Sequence, residues 1–154
     1  MTRGSTGTID FRHDVANDIV VMRPRWTLDT PLEVTRWYQM QAGYFAARFS
    51  ERKDVVMLND AFDITPQVAT LWGKYRARVH ELYIRHSVRV ANTARVRLTT
   101  HTSGVRYSVS SIECATLEEA IETIKVARRG EHIPSGTHRR DDTPPISPPK
   151  VSGT

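Results

Sequence analysis

A single cysteine, Cys114, in 154 residues excludes an internal disulfide and any multi-cysteine metal site. No apolar run approaches the roughly 18 residues that span a bilayer. The opening residues, MTRGSTGTIDFRHD, lack the apolar stretch of a secretory leader, so a cytoplasmic location is expected. The eight glycines are scattered, and none builds a GxGxxG or Walker-type phosphate loop. HExxH, GxSxG and Cys–His metal spacing are also absent, and His80 and His86 are out of register for a shared metal on one helix face. Cys114 follows Glu113, a neighbour that raises rather than lowers a thiol pKa, so it reads as a small buried hydrophobe. The expectation is a non-enzyme that needs no cofactor.

Acidic residues are scarce in one stretch. Between Lys74 and Arg106 stand eight basic residues (Lys74, Arg76, Arg78, Arg85, Arg89, Arg95, Arg97 and Arg106) against one acid, Glu81. The local excess of seven exceeds the whole-chain charge of +5, so the remainder is slightly acidic. Such asymmetry marks a nucleic-acid, phospholipid or acidic-protein surface. The plainer alternative is a solvated helix face followed by outward strand positions. Tyr75, Tyr83 and Tyr107 could stack on bases, but Tyr75 belongs to an apolar stripe, and Arg76 and Arg78 point in different helical directions.

What is present is an alternation of strand and helix patterns. In DVVMLNDAFDITPQVA, from Asp54 to Ala69, an apolar run (Val55–Leu58) gives way to an acidic turn (Asn59, Asp60, Asp63), and Thr65-Pro66 then opens a helix. Thr65 is read as its N-cap and Pro66 as its first residue, with Val68, Leu71, Trp72, Tyr75, Val79 and Leu82 as the apolar stripe. Short carboxylates at a strand end suit Mg²⁺, but a turn before a capped helix needs no ion, and no metal is expected. Upstream, Ile9–His13 and Ile19–Arg23 read as two short strands around the turn 15–18. Thr30, Pro31 and Glu33 then form a capping box for a helix to about Arg52, with Val34, Trp37, Tyr38, Gln41, Phe45 and Phe49 on its core face. Downstream, 87–92 alternates like a strand, 93–104 fits either strand or helix, and 107–112 alternates again. Thr116 and Glu119 cap a closing helix whose inner face is Leu117, Ala120, Ile121 and Ile124. Residues 1–7 and 128–154 are expected to be disordered; the latter holds five of the eight prolines and favours polyproline II, as a passive tail or a docking peptide.

This order of elements resembles the STAS, or anti-sigma-factor-antagonist-like, superfamily over residues 8–126. The hairpin-like start, the Val55–Leu58 strand, the Asp63-Ile64-Thr65-Pro66 junction, the strand near Val88–Ala91 and the ending Ser111–Ile121 carry the resemblance. It implies one α/β domain, 8–127, with a mixed four- or five-stranded sheet and helices mainly on one face. It also implies a non-catalytic regulator or scaffold, and a phosphorylation switch at the position matched by Thr65. The sequence departs from that motif because Pro66 follows Thr65 directly and the next glycine is Gly73. Asp60 and Asp63 would repel a phosphate there, although the helix dipole would favour it. Partner contacts are assigned to Asp60, Asp63, Tyr44, Arg78 and Arg85, with an acidic protein or a second copy as the partner. Nucleic acid bound through the 74–106 segment, or a small apolar ligand among Trp26, Trp37 and Trp72, is the alternative.

Overall fold

Strand β1 (Thr8–Asp14) and strand β2 (Ile19–Leu28) form an antiparallel hairpin, in register from Thr8↔Arg25 to Asp14↔Ile19. Its turn is closed by Asp14, whose carboxylate accepts from the Asn17 backbone (3.2 Å) and side-chain amide (2.9 Å), and by Asp18 at φ 52°. The computed structural model describes residues 7–91, 94–107 and 112–130. Of the disorder expected for 1–7 and 128–154, residues 1–6 and 131–154 lie outside these residues, whereas Arg128 ends the last helix instead of beginning a tail.

Strand β2 runs past Arg23, where the sequence reading ended it. Pro24 would break a central strand, but β2 changes neighbours at that point. Residues Ile19–Met22 pair with strand β3 (Lys53–Leu58), and Arg25–Leu28 pair with strand β4 (Ala61–Ile64), both parallel. Pro24 sits in the gap between the two pairings, where a missing N–H breaks neither. Strand β5 (Ile84–Val90) pairs with β3, and the two-residue strand β6 (Glu113–Cys114) pairs with β5, both parallel. The order is β1-β2-β3-β5-β6 with β4 extending β2's second side.

Helix α1 (Pro31–Arg48) begins with the expected reciprocal capping box and ends when the Phe49 N–H bonds back to Phe45. Helices α2 (Ala69–Leu82) and α3 (Ala94–Tyr107) join it on one face of the sheet, where Val34, Trp37, Phe45, Trp72, Val79 and Val96 meet Val20, Met22, Val55 and Met57. Helix α4 (Leu117–Arg128) covers the other face, placing Ala120 and Ile124 on Ile19, Val21, Val56, Val88 and Val90. The unbroken apolar run of β3 follows from this, because both of its faces are covered. Trp37, Trp72 and Phe62 pack together with ring centroids 5.7–6.5 Å apart, so they fill the core. Trp26 belongs to the same core and lies under Gly7, where a Cβ would stand only 1.8 Å from the indole. The ambiguous 93–104 segment is resolved as helix α3.

Candidate functional site

At the C-terminal ends of β3 and β5 the chain makes its acidic turn. Asn59 is buried, and its N–H bonds to the Val90 carbonyl (2.9 Å), which fastens the turn to β5. Asp60 projects outward and is gripped by Arg23 of β2 through both carboxylate oxygens, with Nε donating at 3.1 Å. That bond, together with the Arg23 charge, outweighs partial desolvation and leaves the Asp60 carboxyl below its ordinary range. Ala61-Phe62-Asp63-Ile64, read from the sequence as loop, is strand β4: Phe62 and Ile64 turn into the core while Ala61 stays exposed. The Asp63 carboxylate accepts from the Ile64 N–H at 2.8 Å.

Thr65 departs from its expected role. Its N–H reaches the Leu28 carbonyl (2.9 Å), which ends β4, and Pro66–Val68 then form a single 3-10 turn before α2 begins at Ala69. Pro66 does occupy the first position of that turn, but the Thr65 side chain makes no capping bond. Its hydroxyl oxygen is buried and has no hydrogen-bond partner among the described residues. The turn is held from the other side by Gln67, whose side-chain amide donates to the Asp29 carbonyl (2.6 Å) and carboxylate (2.9 Å) just before α1. Asp60, Asp63 and Thr65 therefore follow one another along one edge, together with exposed Ala61, Pro66 and Gln67.

The other assigned contacts lie elsewhere. Tyr44, on α1, stacks on Phe11 of β1 (centroids 4.0 Å, 7° between planes), with the Arg48 guanidinium 4.3 Å above its ring. Arg78 is exposed on α2. Arg85 is at the opposite, N-terminal edge of the sheet, engaged with Asp54 through two bonds of 3.1 Å. Asp54 is a fully buried carboxylate that the sequence reading passed over. Burial pushes its pKa up, but bonds from Arg85, Arg128 (2.6 Å) and His86 (2.8 Å) overcome this and hold it at about 2. Arg128 also donates to the Asn17 and Asp18 carbonyls, so this carboxylate ties the end of α4 to the β1–β2 turn.

The basic segment is divided between interior and surface. Arg76 and Arg89 are buried, with Arg76 donating to the Thr100 carbonyl of α3 (3.0 Å). Burial pulls the pKa of Arg89 down to about 10. Beside them His80 contacts the Arg76 carbonyl (2.9 Å) and the Ser87 hydroxyl (2.7 Å), and desolvation, helped by the Arg76 charge, lowers its pKa to about 3. Arg97 pairs with Glu113 through bonds of 2.8 and 2.9 Å. These arginines do not form one strip. The clue to Arg76 was its spacing, four after Trp72 and three before Val79, on the stripe itself. Cys114 is half-buried, 3.4 Å from the Thr123 hydroxyl, and burial raises its pKa, with Glu119 and Glu113 adding to the rise. Among the described residues no cluster of three metal-ligating side chains occurs, and no helix is long and apolar enough to cross a membrane.

No protein-family model matches the sequence, and no curated protein matches it. A solved structure does match the fold: the crystal structure of an anti-sigma factor antagonist from Mycobacterium paratuberculosis. It is 16% identical, with a TM-score of 0.58, over 81% of this chain and 99% of that one. The chain therefore has the STAS fold that its element order resembles.

Proposed function

We propose that this protein is a non-catalytic regulatory module that acts by binding another protein through the edge formed by Asp60, Ala61, Asp63, Thr65 and Gln67. The observation that supports the reading is the fold match over 81% of the chain to an anti-sigma factor antagonist, a protein whose name describes action on another protein. The edge suits recognition because a rigid scaffold holds it: Asn59 is anchored to β5, Asp60 to Arg23 and Gln67 to Asp29.

A switch at Thr65 is the finer form of this reading. The hydroxyl is buried, so a kinase would have to open the 3-10 turn first, and the phosphate would then stand near two carboxylates. Modification would thus hold the edge open.

The test is capture of a partner by the tagged full chain, repeated with Asp60→Lys and Ala61→Arg variants of unchanged melting temperature. Loss of the wild-type partner from both is expected, and full retention by both would overturn the edge assignment. For the switch, Thr65→Glu should weaken capture while Thr65→Val leaves it intact. Equal capture by the two would end the phosphorylation reading and leave the edge standing.

A further inference from the structure

We propose that β1 is a self-association edge, on which a second copy of this chain pairs antiparallel about a two-fold axis at Phe11 and joins the two sheets into one. This inference does not depend on the partner-binding edge.

Among the described residues β1 has a strand neighbour on one side only, β2. The opposite margin of the sheet is β6, with two residues; β1 offers seven, in unbroken register and without proline. An unguarded strand of this length is a template for another strand.

The charges on β1 select its occupant. Thr8, Asp10, Arg12 and Asp14 alternate along the face away from α1, opposite Arg25, Arg23, Val21 and Ile19 of β2. In an antiparallel pairing centred on Phe11, each Asp10 stands opposite the other copy's Arg12, and each Thr8 opposite the other copy's Asp14. Two opposite-charge pairs form by symmetry, each of a kind that stabilises a sheet. Sliding the register two residues one way sets Arg12 against Arg12 and Asp10 against Asp14. Sliding it the other way sets Asp10 against Asp10. Of the two-fold registers that pair five residues or more, only the one centred on Phe11 is complementary. Strands guarded against pairing with themselves carry charges that repel, whereas this one is matched to its own reverse.

The inner face fits the same arrangement. Phe11 meets Phe11, and Ile9 meets His13. The half-buried Phe11–Tyr44 stack, capped by exposed Arg48, lies at the seam and would be covered by the second copy. Asp10 is already bonded to Arg25 at 3.0 Å, but that pair is about half exposed and leaves a carboxylate oxygen for Arg12 of the second copy.

Sedimentation velocity on the full chain over a concentration series tests the proposal. Wild type should dimerise, more weakly as salt rises. Arg12→Asp should weaken the dimer by about tenfold, because one substitution reverses two cross-strand pairs. Asp10→Arg combined with Arg12→Asp exchanges the signs, restores both pairs, and should recover most of the wild-type association. A wild-type monomer at every concentration would overturn the proposal. So would a dimer indifferent to Arg12→Asp, or a double variant no better than the single one. Thermal melts of each variant separate lost association from lost folding.

Discussion

Thr30 and Thr65 each precede a proline, yet only Thr30 caps. Its hydroxyl accepts from the Glu33 N–H (3.2 Å) and the Glu33 carboxylate returns the bond, whereas the Thr65 hydroxyl is buried without a partner among the described residues. Thr30→Ala should therefore cost about 1 kcal/mol. Thr65→Val keeps the shape and removes an unsatisfied hydroxyl, so it should be neutral or stabilising. Chemical denaturation of the two variants checks the contrast. Two titrating groups should shape the pH dependence of stability. The folded pKa of Asp54, about 2, lies below the unfolded carboxylate value, so its contribution is present above about pH 4 and is lost as pH falls towards 2. That contribution is roughly 2 kcal/mol, and Asp54→Asn should flatten stability over this acid range. The folded pKa of His80, about 3, is also below its unfolded value, so stability should fall from about pH 6.5 downwards as the unfolded chain takes up the proton first. His80→Gln should reduce the slope between pH 6.5 and 4 in melts across that range.

At the scale of elements, helices that declare their ends locally were legible. The box at Thr30–Glu33 and the Thr116 cap on Glu119 predict the starts of α1 and α4 to the residue, because a cap is a contact among near neighbours. Elements defined by a distant neighbour were not. Ala61–Ile64 becomes a strand only because the second half of β2 is free to pair with it, and the outer part of β2 is stable only because β4 is there. The alternation of Phe62 and Ile64 was visible, but four residues beside an acidic turn read equally as loop. For the same reason the start of α2 moves from Pro66 to Ala69: the backbone must first finish β4 against Leu28. Among the described residues helix α4 is the one helix on its face of the sheet, so Ile124→Ala should destabilise the protein by about 2–4 kcal/mol. A calorimetric transition shifted by less than this would mean that the second core closes some other way.

For the whole molecule, the two proposed surfaces are separate, and their variants should separate too. Arg12→Asp should keep partner capture while losing self-association. Asp60→Lys should keep self-association, measured by sedimentation, while losing capture. A single variant that abolished both would merge the surfaces. The sequence by itself determined the alternation of strands and helices, the apolar run of β3 and the STAS-like order, because periodicity and caps are local properties of the chain. It could not place Arg76 and Arg89 in the interior or Arg85 against Asp54. A charged side chain reads as surface until the packing of other elements encloses it, and those elements lie up to 74 residues away, as Arg128 does from Asp54. Tertiary structure alone decided which carboxylates are structural and which are offered outward. Asp54 is consumed by Arg85, Arg128 and His86 at one end of the sheet, while Asp60, steadied by Arg23, faces solvent at the other.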